Sequence, residues 1–82
     1  MTTTYILTLS CHDVRGIVAA VTGFLARQDG FIIESTQFGD PSTERFFMRV
    51  QFSSGAATPA HDALKEEFRQ AVADPFAMEW RM

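Results

Sequence analysis

The sequence predicts an α+β domain in which a four-stranded antiparallel sheet carries two helices on one face. Three features lead there. Apolar residues alternate with a period of two in four short segments, they recur at helical spacing in two longer ones, and the six segments run strand, helix, strand, strand, helix, strand. At 82 residues the chain is long enough for one hydrophobic core and too short for two. A hydrophobic fraction of 46%, 21% charged residues and eight phenylalanines set it apart from disordered chains.

Residues 5–11 alternate Tyr5, Leu7, Leu9 and Cys11 against Thr8 and Ser10, the pattern of a half-buried strand. Asp13 follows as the expected N-cap of a first helix over residues 16–28, whose stripe is Ile17, Val18, Val21, Phe24 and Leu25. Gly23 inside that helix is expected to permit close packing. Gly30, just past the last periodic residue, is expected to supply the left-handed conformation that ends the helix. Residues 31–38 and 45–52 are β-prone runs flanking a turn-rich stretch at residues 39–43, hence a hairpin. Centring its pairing near Pro41 and Ser42 sets Glu34 opposite Arg49 on a polar face, with Ile33 opposite Val50 and Phe31 opposite Phe52 on a core face.

Thr58 and Pro59 form an N-cap and first-turn proline for a second helix, with Leu64, Phe68, Ala71 and Val72 inward. Lys65, Glu66, Glu67, Arg69 and Gln70 lie on its solvated side, and it stops at Asp74-Pro75. Phe76, Met78 and Trp80 then alternate with Ala77, Glu79 and Arg81 as a fourth strand. The β-α-β-β-α-β order with right-handed crossovers predicts a ferredoxin-like sheet with strands 1 and 3 central, in an order running 3-1-2.

Seven basic against ten acidic residues give a net charge of −3, which offers no footprint for nucleic acid or an anionic membrane. The single cysteine, Cys11, rules out an internal disulfide or a CxxC site and fits a reducing cytoplasm. The N-terminus reads as a strand rather than a signal peptide or a membrane span.

No arrangement able to carry out chemistry emerges. Cys11, His12 and Asp13 are adjacent in an extended segment, so Cys11 and His12 point to opposite faces, and Cys11 is expected to be buried. His61 is expected on an exposed first helical turn. Glu66, Glu67 and Asp62 lie on a solvated face, and neither GxGxxG nor a P-loop occurs. RNA-binding, metal-chaperone and acylphosphatase-like uses of this architecture lack the required basic aromatics, CxxC and asparagine respectively. No catalytic residue, metal or cofactor is therefore expected. The remaining candidate is the turn from Ser10 to Val18, which presents backbone N–H groups at a helix N-terminus where a small carboxylate could sit. An ordinary tight strand-to-helix turn has the same residues.

This turn, the following Gly16-Ile17-Val18-Ala19-Ala20-Val21 and the element order resemble the ACT domain, a regulatory module of amino-acid and one-carbon metabolism. Together with Tyr5-Ile6-Leu7-Thr8-Leu9-Ser10-Cys11, Glu34-Ser35-Thr36-Gln37-Phe38, Arg45-Phe46-Phe47-Met48-Arg49-Val50 and Phe76-Ala77-Met78-Glu79-Trp80-Arg81-Met82, they look like the N-terminal ACT domain of the formyltetrahydrofolate deformylases. The resemblance covers nearly the whole chain. It implies residues 1–82 as a single regulatory domain of an enzyme that hydrolyses 10-formyltetrahydrofolate to formate and tetrahydrofolate, with the catalytic domain outside this chain. It implies further a small amino-acid effector such as glycine or methionine, at Asp13, Val14, Arg15, Gly16, Ile17, Ile32, Ile33 and Glu34, and a homodimer through ACT–ACT contacts. The family loop usually reads Cys-Pro-Asp-Arg-Pro-Gly. Here Cys11-His12-Asp13-Val14-Arg15-Gly16 lacks both prolines and is less preorganised. The alternative is a stand-alone ACT protein acting as an amino-acid-responsive, protein-binding regulator.

Overall fold

The computed structural model describes residues 2–82. In chain order it contains β1 (Thr4–His12), α1 (Ile17–Arg27), β2 (Phe31–Asp40), β3 (Arg45–Ser53), α2 (His61–Phe68) continued by a π-helical turn (Arg69–Ala73), and β4 (Glu79–Arg81). The sheet is antiparallel in the order β2-β3-β1-β4. Strands 1 and 3 are central, as expected. Strand 2, however, lies beside strand 3 rather than strand 1. The short connection 41–44 lets β2 and β3 pair directly, and the far edge of β1 is left for β4.

Within the hairpin, Ser35 lies opposite Val50, Thr36 opposite Arg49 and Ile32 opposite Phe52, with an irregularity between Ile32 and Glu34. The expected register is therefore displaced. The extra residue at the irregularity shifts the phase of β2, so Phe31 falls opposite Ser53, away from the helices, and is 71% exposed. Glu34 and Arg49 nevertheless approach to 3.6 Å as diagonal neighbours. The turn is held by Asp40. Its carbonyl accepts the Glu44 N–H at 2.8 Å, and its carboxylate accepts the Ser42 N–H at 3.0 Å and hydroxyl at 2.8 Å.

Alternation along β1 and β3 sends Leu7, Leu9, Cys11, Phe46, Met48, Val50 and Phe52 to one face, where they are buried under Ile17, Val21, Phe24 and Leu25 of α1 and Leu64 and Phe68 of α2. The Phe24 and Phe68 rings meet edge to face at 5.4 Å.

The helix ends differ from the sequence reading in instructive ways. The N-cap of α1 is Gly16, at φ 90°, and no side chain caps the helix, so Asp13 is not the cap. At the other end the left-handed residue is Asp29 (φ 61°), not Gly30. The N–H groups of Asp29 and Gly30 donate to the carbonyls of Ala26 and Leu25, a Schellman closure one residue earlier than expected. Thr58 does not cap α2, which begins after Ala60. Its hydroxyl instead accepts the Gly55 N–H at 2.8 Å and donates to the Gln28 carbonyl at 2.7 Å, tying the second crossover to the end of α1. The π-helical turn advances the phase of the second helix, so Ala73 joins Val72 in the core while Ala71 is exposed. The fourth strand is shorter than expected because Ala77 takes a left-handed conformation (φ 50°) inside a turn.

Gly23 does not permit a close approach: a side chain there would meet only the Arg27 guanidinium, at 3.4 Å. Gly23→Ala should therefore stabilise the fold by about 0.5–1 kcal/mol. At Gly55 an added Cβ would lie 2.6 Å from the Asp29 carbonyl oxygen, so Gly55→Ala should destabilise by about 1–3 kcal/mol. Urea midpoints at constant m-value read both.

Candidate effector site

The turn after β1 is built by two backbone devices. The Asp13 N–H donates to the Glu44 carbonyl at 2.9 Å, which ties the loop to the β2–β3 turn. Gly16 then takes φ 90°, with nothing within 4 Å of where a Cβ would be, so glycine is needed there for its conformation and not for space. The Gly16 carbonyl accepts the first helical hydrogen bond, from Ala20 at 2.9 Å. Asp13, Val14, Arg15 and Gly16 are exposed, and Ile17 is buried beneath them. The first N–H groups of α1 have no side-chain cap and open beside this loop.

The Asp13 carboxylate is aimed at Gly39 of β2. A Cβ at Gly39 would lie 2.6 Å from Oδ2, so a bare backbone is what admits the carboxylate. Ile32, Ile33 and Glu34 lie at the opposite end of β2. Seven residues separate Ile32 from Gly39, about 23 Å of extended chain. Within one chain the eight expected site residues therefore form two groups: Asp13, Val14, Arg15, Gly16 and Ile17 at one end of the sheet, and Ile32, Ile33 and Glu34 at the other.

The adjoining titratable groups do not form a reactive centre. Cys11 is fully buried, and burial pushes its thiol pKa up, partly opposed by Arg45, so it is a poor nucleophile. His12 faces the opposite side of the sheet, opposite Arg45, as alternation requires. Among the described residues no three His, Cys, Asp or Glu side chains converge on a metal position.

A second concavity, which sequence reasoning missed, lies on the helix-free face. Phe38 and Phe47 stack there at 5.0 Å and 19° beside Thr8, Thr36 and Arg49, lining a groove of about 410 Å³. The signal was the Phe46-Phe47 pair, since strand alternation buries one ring and turns the other outward.

Two measurements test the loop. Gly39→Ala should displace the Asp13 carboxylate, and because a side-chain tip can move, the stability cost should stay under about 1 kcal/mol and vanish in an Asp13→Ala background. Asp40 is held below its ordinary pKa of 3.8 by its hydrogen bonds from Ser42. A lowered carboxylate pKa contributes stability above the unfolded value and loses it as pH falls through the folded one. Protection of the Ser42 amide should therefore persist at pH 3.8 and be lost only at more acid pH, and Asp40→Ala should abolish it at neutral pH.

No protein-family model matches the chain. It is 45% identical over 78 residues to formyltetrahydrofolate deformylase of Corynebacterium sp. (strain P-1), covering 95% of this chain and 27% of that protein. It is 39% identical over 77 residues to formyltetrahydrofolate deformylase of Bacillus subtilis (strain 168), covering 93% of this chain and 25% of that protein. Among solved structures, the formyltetrahydrofolate deformylase of Burkholderia mallei superposes with a TM-score of 0.84 at 40% identity, over 95% of this chain and 27% of that one. That of Pseudomonas putida superposes with a TM-score of 0.87 at 28% identity, over 96% and 28%. Nearly the whole chain is thus similar, in sequence and in fold, to a stretch about a quarter the length of the formyltetrahydrofolate deformylases.

Proposed function

We propose that the chain is the ACT-type regulatory and assembly domain of a formyltetrahydrofolate deformylase, in which a separate domain hydrolyses 10-formyltetrahydrofolate to formate and tetrahydrofolate. The observation that carries this reading is the 45% identity to a deformylase across 78 of the 82 residues, joined to a matching fold. Such an enzyme would serve one-carbon metabolism and purine biosynthesis in the cytoplasm. No helix among the described residues is long and apolar enough to cross a membrane.

The assembly role is supported by the β2 edge. This ten-residue strand pairs on one side only and exposes Phe31, Ile33 (50%) and Phe38 (60%), with Val14 and Val18 exposed in and after the turn that leads into α1. A second copy pairing antiparallel about Thr36 would extend the sheet to eight strands. Residue numbers paired across that two-fold sum to 72, so Ile33 of one copy would lie opposite Gly39 of the other, and thus beside its Asp13. The two separated groups of site residues would then meet across the interface, and the uncapped α1 N-terminus would take the carboxylate of a small amino acid.

Sedimentation of the 82-residue chain should give a concentration-dependent dimer that Ile33→Glu converts to monomer with unchanged circular dichroism; a wild-type monomer at high concentration would remove the assembly role. Titration calorimetry with glycine and methionine tests sensing. Heat that Gly39→Ala reduces supports it, and no heat at millimolar ligand removes it.

A further inference from the structure

The β4 end of the sheet is attached differently from the rest. The strand is three residues long, pairs only with β1, and follows a turn in which Ala77 holds a left-handed conformation that costs a non-glycine residue energy. The apolar residues around it, Phe76, Met78, Trp80 and Met82, are only half-buried against the core. A cavity of about 400 Å³ lies alongside, lined by Ser10, Phe47, Glu79, Trp80 and Arg81 among others.

Two side chains from other elements hold this segment at its ends. Arg45 of β3 reaches Glu79 at 3.7 Å and donates to the Ser10 hydroxyl at 3.1 Å. His61, the first residue of α2, places Nε2 3.2 Å from the Met82 carbonyl oxygen while its ring packs on Tyr5 at 5.1 Å. In that contact the ring nitrogen donates, since a carbonyl only accepts. Between the two ties, Trp80 rests on Phe68 at 4.8 Å.

We infer that residues 79–82 form a releasable strap, clasped by His61, that opens as a unit separate from the β2-β3-β1 sheet and in doing so uncovers Phe68 and the outer edge of β1. Few paired backbone groups, a strained approach and exposed ties are the features of a low-stability unit, whereas β3 is paired along both edges. Release involves more than the pairing of β4 itself, because the clasp comes from a residue 21 positions away whose ring packs on Tyr5 of β1.

Native-state amide hydrogen exchange on the 82-residue chain tests this. In the unsubstituted chain the β4 amides bonded to β1 should exchange well before those bonding β1 to β3. His61→Phe keeps a ring against Tyr5 and removes the bond. It should speed β4 exchange about fivefold, the change that losing one ordinary hydrogen bond brings, and leave the β1–β3 amides as they were. His61→Ala should do the same. Exchange of β4 and β3 at one common rate would overturn the strap, and unchanged β4 exchange in His61→Phe would overturn the clasp.

Discussion

Leu7, Val50 and Phe52 on the two central strands meet Val21, Phe24, Leu64 and Phe68 on the two helices, and no residue of this layer exceeds 1% exposure. Each such side chain, buried fully, contributes about 1.5–3 kcal/mol, and the chain has no disulfide to supplement it. Everything outside the layer is placed by it. Burying β1 and β3 between neighbours leaves β2 and β4 as the two edges, and covering one face with helices leaves the other to water, Phe47 and the arginines. The α1 N-terminus is fixed at the end of the sheet where β1 stops because Ile17, the first residue of the helix, is already part of the core.

The architecture was legible because period-two and period-3.6 patterns report burial directly, and burial is what decides this fold. The helix limits were less so. Asp13 and Thr58 are residue types that cap helices, yet both are used by tertiary partners: Asp13 packs against Gly39, and Thr58 bridges Gly55 and Gln28. Local preference yields to a contact made about 26 or 30 residues away. The hairpin register failed for two reasons. The turn closes on Asp40 and Arg45, not on the Pro41–Ser42 centre, which moves every pair by two, and the bulge, unmarked in composition, takes one residue back and so turns Phe31 to the other face. Of the candidate site, the loop was legible in the sequence, but the left-handed conformation that calls for glycine at position 16 was not. Nor was the distance between that loop and residues 32–34, which depends on which end of β2 each group occupies.

The exposed ion pairs add little to stability, but they sort the surfaces. Glu66 and Asp74 flank Arg69 on the outside of the second helix, and hydrogen bonds from Arg69 and Gln70 hold the Glu66 carboxyl down to about 2. That face remains charged through any ordinary acid range. The β2 edge is the contrast: ten residues with two acids, no base and three exposed apolar side chains. A strand of that composition is the part of the molecule least suited to remaining alone in water.

The π-helical turn at Arg69–Ala73 also bears on how the chain tolerates change in length. Such a turn amounts to one extra residue absorbed within a helix, marked here by the Asp74 N–H donating to the Arg69 carbonyl at 2.8 Å, five positions back. A single-residue deletion there would restore α-helical hydrogen bonding and leave Leu64 and Phe68 on their face of the core. Anywhere in β1 or β3 the same deletion would turn one end of the strand inside out. The second helix is thus a place where this chain could lose one residue without remaking the sheet.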